Sequence, residues 1–310
     1  MNWRTEVKLN EEKDYFDYNS DTLSIGSCFS SEIGERLKAA DFSISVNPFG
    51  VIFNPVSLLQ LLQNSLSGEL AEEMVLERSG RYFHYGYHSS IYGDSKEELF
   101  KKISALQEAV KEKLSGGTHL FLTFGTAWAY RLKSNNKLVA NCHKMPAENF
   151  NKELIDLNKL KQFSVDLFRQ LNVLNPKLKI MLTVSPVRHK KDGLHENNLS
   201  KGVLHLFTQF LVDHFEQISY FPSYELIIDE LRDYRFFKED MLHPTDQAID
   251  FILEKFRSSR MSQQVNEAFD IRMQLKKAEH HQSMHTTEKE KELHQKHIKK
   301  LKVALSALEK

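Results

Sequence analysis

His119-Leu-Phe-Leu-Thr-Phe124 is apolar at nearly every position instead of at alternate ones. A strand hidden on both faces reads this way, and strands are hidden on both faces inside a parallel sheet covered by helices. Lys179-Ile-Met-Leu-Thr-Val184 repeats the pattern. Working outward, Thr22 to Ile25 and the alternating stretch Phe42 to Asn47 read as further strands, separated by a helix over Ser30 to Ala40. Helical stretches run from Pro55 to Leu66, Ser95 to Leu114, Asp156 to Val173 and Glu196 to His214. Val75 to His88, centred on Ser79-Gly80, and Tyr130 to Asn141, centred on Asn135-Asn136, carry the turn residues of hairpins. Ile218 to Phe221 leads through a short helix, Ser223 to Leu231, to a last helix opened by Pro244. Strands separated by helices give an α/β fold with a mainly parallel sheet, right-handed crossovers and helices on both faces. In such a sheet, reactive residues collect in the loops at the carboxyl ends of the strands.

The 310 residues carry 42 basic and 42 acidic side chains, a balance that supplies no field to recruit nucleic acid or an anionic membrane, and neither is an expected partner. No apolar run is long enough to span a bilayer. The N-terminal MNWRTEVKLNEEKDYFDYN lacks the basic start and apolar centre of a secretory signal, so a cytoplasmic location is expected. Cys28 and Cys142 are too few for a disulfide scaffold and read as individual thiols. Gly and Pro disappear after about residue 260, which divides the chain into an N-terminal segment (1–19), a globular domain (20–260) and a helical C-terminal extension (261–310). In the extension, Ile298, Leu301, Leu305 and Leu308 form one apolar stripe, suited to docking on the body or to self-association. His280, His281, His285, His294 and His297 have no carboxylate or thiolate pattern around them and read as solvated surface. A Gly-rich phosphate loop, a dinucleotide fingerprint and paired zinc cysteines are all missing, so no metal and no cofactor is expected.

Four strand-end segments hold the candidate chemistry: Gly26-Ser27-Cys28-Phe29, Asn47-Pro48-Phe49-Gly50, Phe124-Gly125-Thr126-Ala127-Trp128 and Asp240-Met241-Leu242-His243-Pro244. The first places a hydroxyl and a thiol at a helix start, where free N–H groups and the helix dipole are expected to lower the thiol's pKa and to help hold an oxyanion. The last places a carboxylate three residues before an imidazole, so that Asp240 can orient His243 as a general base. Taken singly, each has an ordinary structural explanation: a helix cap, a small buried residue, a turn, a surface histidine.

Read together with NPFGVIFNP at 47–55, LTFGTAWAYRL at 122–132, VANCHKMPA at 139–147, TVSPVRHKKDGLHENNLSK at 183–201 and DELRDYRFFKEDMLHP at 229–244, the string Ser24-Ile-Gly-Ser-Cys-Phe-Ser30 resembles the GSCFA domain family, whose fold is related to the SGNH hydrolases. The resemblance covers roughly residues 20–258. It implies a three-layer α/β sandwich around a central parallel sheet, and hydrolysis or transfer of an ester-linked acyl group from a small molecule or glycan. Carried over residue by residue, it makes His243 the base and Asp240 its partner, and it makes Gly50, in the block that starts at Asn47, an oxyanion donor. In strict register Cys28 takes the place of the nucleophilic serine, and Ser27 that of the aspartate before it; either is a candidate nucleophile. The third block falls on Gly125, Thr126, Ala127 and Trp128, which leaves its oxyanion asparagine without a counterpart; Asn141 or His143 is the expected substitute. Arg188, with His88, Arg131, Lys144 and His189, adds hydrogen-bonding or positive groups, and Trp128 and Tyr130 offer flat surfaces for substrate. The alternative is a noncatalytic ligand-binding or scaffold protein that keeps the hydrolase fold.

Overall fold

The computed structural model describes residues 4–13, 15–280 and 287–308. Along the chain, β1 (Asp21–Gly26) leads through α1 (Cys28–Ala39) to β2 (Ser43–Val46) and α2 (Pro55–Ser67). A hairpin follows, of β3 (Val75–Arg78) and β4 (Arg81–His84), then α3 (Lys96–Gly116) and β5 (His119–Phe124). Strands β6 (Trp128–Leu132), β7 (Leu138–Val139) and β8 (Phe150–Leu154) precede α4 (Leu157–Leu174), β9 (Lys179–Val184), α5 (Leu194–His214) and β10 (Ile218–Tyr220). A helical turn at Ser223–Glu225 loosens into a π-helix over Leu226–Leu231 (together α6), and α7 (Asp246–Arg260), α8 (Gln263–His280) and α9 (Glu288–Leu308) complete the chain.

The central sheet has five strands in the order β10-β9-β5-β1-β2, and every pairing is parallel. Both buried strands expected from the sequence are its middle members, and successive side chains of β5 go to opposite cores. Leu120, Leu122 and Phe124 pack with α2, α3, α4 and α5, through residues such as Leu58, Ile103, Phe168 and Phe207. Phe121 packs on the other face with Phe29 of α1, Leu226 and Ile227 of α6, and Ile252 and Phe256 of α7. The chain leaves β1 in one direction for β2 and then returns past it to β5. Right-handed crossovers therefore put α1 on one face and α2–α5 on the other. The switch point lies between β1 and β5, and a crevice opens there at the carboxyl ends of the strands.

Three local features differ from the sequence reading. Pro244 does not open the last long helix; it bridges Phe237 in a short antiparallel contact, and Thr245 caps α7 by accepting the Ala248 N–H. The second hairpin gains a third strand, because β8 pairs with β6 along its whole length. The C-terminal extension is two helices: α9 folds back along α8, where Ile298 and Leu301 are buried, and α8 docks on the body. Phe269 of α8 joins the core under the Arg257 guanidinium, which stands 4.0 Å from its ring centroid. His281 and His285 lie outside the described residues. No helix among the described residues is long and apolar enough to cross a membrane.

Close approach at the switch point fixes one position. A Cβ on Gly26 would stand 2.3 Å from the Thr123 carbonyl oxygen of β5. Gly26→Ala is expected to cost about 1–3 kcal/mol of stability by forcing β1 and β5 apart, read as a lower denaturant midpoint at an unchanged slope.

Candidate active site

The residues after β1 are positioned by the side-chain amide of Asn47, which opens the second candidate segment. Asn47 accepts the Gly26 N–H on Oδ1 at 2.7 Å and donates from Nδ2 to the Ser31 hydroxyl at 2.7 Å, tying the end of β1 to the first turn of α1. Ser27 occupies the cap position of α1, but its hydroxyl makes no capping bond; it is 1% exposed and has no hydrogen-bond partner. Cys28, the first residue of the helix, is partly exposed. At the other end of the domain, Asp240 Oδ1 accepts the N–H groups of Leu242 and His243 at 2.8 and 2.9 Å, a turn built by the aspartate's own side chain. Its Oδ2 lies 2.6 Å from His243 Nδ1, so the imidazole carries its proton on Nδ1 and presents Nε2. The Lys238 N–H to His243 carbonyl bond, at 2.7 Å, and the Phe237–Pro244 bridge hold the turn on the body.

These two ends meet. A cavity of about 890 Å³ at the switch point is lined by Ser27, Cys28, Thr126, Trp128, Arg188 and His243, with Phe53, Tyr130, Cys142, Ser185 and His189 among its other walls. Trp128 is fixed by its Nε1–H, which donates to the Glu196 carbonyl at 3.0 Å, and Lys152 stands 4.6 Å from its ring while pairing with Asp192 at 2.6 Å. Gly125 lies beneath this wall: its N–H donates to the Phe53 carbonyl at 2.7 Å, and its own carbonyl accepts from Lys201.

Residues 21–256 match the model of the GSCFA family. The chain belongs to the GSCFA family. No curated protein matches it. In this GSCFA protein the matched region ends inside α7, and α8 and α9 lie beyond it.

Gly50, Asn141 and His143 stand elsewhere, and His88, Arg131 and Lys144 do not line the cavity either. The Gly50 N–H is taken by the Asn47 carbonyl at 2.8 Å in a tight turn, and a Cβ there would meet His88 at 2.3 Å, so Gly50 has no free donor to offer an oxyanion. Asn141 spends its Oδ1 on the His143 N–H at 2.7 Å. His143 is buried against Phe83 and Tyr85, with Nε2 3.0 Å from the His84 carbonyl. Neither lines the cavity; their neighbour Cys142 does.

The thiol also departs from expectation. Burial pushes Cys28 above its ordinary value, against the opposing pull of the Phe29 and Cys28 N–H groups and of Lys201, so the helix start does not by itself yield a resting thiolate. Asp240 is held well below the usual carboxylate range by the His243 N–H, the His243 ring and the Leu242 N–H. Lys201 escaped the sequence reading although its signal was present: it sits on the buried stripe of α5 with Asn197, Leu204, Thr208 and Leu211.

His189 is pushed down to about 4, first by burial and then by the Lys201 charge; burial does the same, to about 4, to His84 and His119. The unfolded chain, with histidines near 6.5, therefore binds protons before the folded one does. Stability from these three groups is present above about pH 6.5 and is lost as pH falls toward about 4. Histidine NMR titration is expected to show three imidazoles that stay neutral at about pH 5.5, with the urea midpoint falling through the same window.

Proposed function

We propose that this protein hydrolyses or transfers an ester-linked acyl group, with Cys28 as nucleophile, His243 as general base and Asp240 orienting His243. The observation that carries the reading is the 2.6 Å Asp240–His243 bond on the rim of the cavity that Cys28 lines, at the switch point of a parallel sheet. The parallel sheet covered by helices also supports the likeness to SGNH hydrolases. Cys28 is preferred to Ser27 because it is partly exposed, whereas Ser27 is 1% exposed although it lines the same cavity. Ser27 stands beside it as an unpartnered buried hydroxyl.

Because Cys28 rests as a thiol, it needs a base at the moment of attack. His243 Nε2 takes the Sγ proton as sulfur bonds to the ester carbonyl carbon. The carbonyl oxygen gains the negative charge and is met by the N-terminal end of α1, the donor group still on hand once Gly50 is excluded. The intermediate collapses by breaking the C–O bond, and the departing alkoxide takes the proton from His243. The thioester on Cys28 then passes its acyl group to water or another acceptor, with His243 removing that acceptor's proton. The largely apolar walls, Phe53, Trp128, Tyr130 and Val139, suit the acyl chain, and Arg188 and Lys190 at the same cavity suit a polar or anionic head. A small acyl ester or an acylated glycan fits this description, and the interior of a cell is the location that agrees with a reduced thiol nucleophile.

Hydrolysis of short-chain p-nitrophenyl esters tests the assignment. Cys28→Ala is expected to abolish activity together with the acyl-enzyme seen by intact mass, His243→Ala to lower kcat about 10²–10⁴-fold, and Ser27→Ala to leave most of it. Activity retained in Cys28→Ala and lost in Ser27→Ala would move the nucleophile by one residue. No turnover and no His243-dependent labelling by fluorophosphonate or thiol probes would make the cavity a binding pocket.

A further inference from the structure

Lys201 is buried without the usual compensation. The residue is 2% exposed, and its ammonium donates to the Gly125 carbonyl at 2.6 Å and the Ser185 carbonyl at 2.7 Å, at the ends of β5 and β9. Its remaining neighbour of note is the Tyr224 ring of α6, 5.9 Å from the ammonium. No carboxylate forms an ion pair with it among the described residues. Two neutral carbonyls satisfy donors but do not oppose the charge, and an apolar side chain of the same volume would fill this space at far lower cost. A tie between two strand ends needs hydrogen bonds only. A retained, unopposed charge beneath a cavity points to a role in that cavity.

The Cys28 segment lies at the same strand ends: the Ser27 N–H reaches the Thr123 carbonyl of β5 at 3.1 Å, two residues before the Gly125 carbonyl that accepts from Lys201. A Cys28 thiolate favours the Lys201 ammonium, and the ammonium favours the thiolate, while Ser185 joins the Lys201 bonding to the wall that Cys28 lines. The other groups facing the pair do not substitute. Glu32, on α1, works against the thiolate. His189, in the loop after β9, and His205, on α5, are driven toward the neutral form by burial and by Lys201 itself. We propose that Lys201 is the counter-charge of the Cys28 thiolate, a positioning residue that stabilises the anionic nucleophile from beneath the cavity. The proposal rests on the reading of Cys28 as the reacting group.

Its pH dependence has a definite form. Burial holds Lys201 down to about 7, with the upward pull of Cys28 already included. As pH falls below that value the ammonium becomes the main form, and the thiolate receives its benefit. Well above it the amine is neutral in both forms and the benefit vanishes.

The test is the iodoacetamide alkylation rate of Cys28 in the full chain, followed peptide by peptide so that Cys142 is counted separately. Rates from about pH 6 to about pH 9 are compared for wild type, Lys201→Met and Lys201→Gln. Both variants are expected to react about tenfold more slowly near pH 6.5, the size of one pKa unit, with the difference closing toward pH 9. Lys201→Gln keeps hydrogen-bond donors for Gly125 and Ser185 without the charge. Wild-type rates in that variant, or a ratio to wild type that does not change with pH, would make Lys201 a structural tie and overturn the proposal. If neither variant folds, the Cε resonance of Lys201 in Cys28→Asp, whose carboxylate stands in for the thiolate, gives the reciprocal reading. Its titration midpoint is expected to rise beside that fixed charge, and an unchanged midpoint overturns the proposal equally. Alkylation needs no substrate, so a failure of the esterase reading shows in turnover alone, and a failure of this one in the rate profile alone.

Discussion

The rest of the molecule depends on how closely β1 approaches β5. With hydrogen alone on Gly26, the Ser27 N–H reaches the Thr123 carbonyl at 3.1 Å, and the Gly26 carbonyl turns outward to accept from Ile52 at 3.0 Å. That approach brings the start of α1 to the sheet's carboxyl edge. Asn47 then fastens it, spending both ends of its amide on Gly26 and Ser31. A larger residue at 26 would separate the strands at the point where the chain changes direction, and the Ser27-Cys28 segment would lose its place relative to β5 and β9.

Burial divides the ionisable groups of the site into two kinds. Asp240 and His243 are about half exposed, with side-chain exposures of 45% and 44%, so water screens their attraction and the pair contributes orientation more than stability. Cys28 and Lys201 lie deeper, where burial opposes the charged form of each. The same low polarity that makes either charge costly alone strengthens the attraction that passes between them. His189, held neutral, adds no third charge to the wall.

Much of this was legible in the sequence where a short-range pattern decides the outcome. β5 and β9 are continuous apolar runs, the helices carry apolar stripes, and Asp240-x-x-His243 forms a turn that its own aspartate builds, so each could be read within a few residues. β8, Phe-Asn-Lys-Glu-Leu, was not, because it lies at the edge of a small antiparallel sheet and its exposed polar residues resemble a loop. Pro244 carried a helix-start signal that tertiary pairing with Phe237 overrode. Gly50 was expected as a donor only from the resemblance, and whether its N–H is free depends on Asn47 and on the packing of His88. His143 follows Cys142 by one residue, yet the left-handed backbone at 143 and 144 turns the imidazole into the small β-layer while the thiol stays on the cavity. Lys201 is the instructive omission: a lysine on an otherwise buried helix stripe announces a buried charge, but only the fold shows which carbonyls receive it.

The position of the Asp240–His243 pair on the rim, with the thiol farther in, has a consequence for when the site becomes effective. In the open cavity, solvent reaches the imidazole and weakens the pull of Asp240 on a developing imidazolium. A ligand whose apolar part covers Trp128, Tyr130 and Phe53 removes that solvent from the same space. In the proposed reaction the carboxylate would then act on the imidazolium through a medium of lower polarity, and its stabilisation would grow at the step where His243 takes a proton. Desolvation also raises the cost of a free thiolate, so the proposed reaction has use for both a proton acceptor and a nearby ammonium at Cys28. In that proposal His243 receives the proton, and Lys201 opposes the charge left behind. A resting thiol under these conditions is compatible with nucleophilic chemistry, because the charge need exist only while both groups are in place to stabilise it.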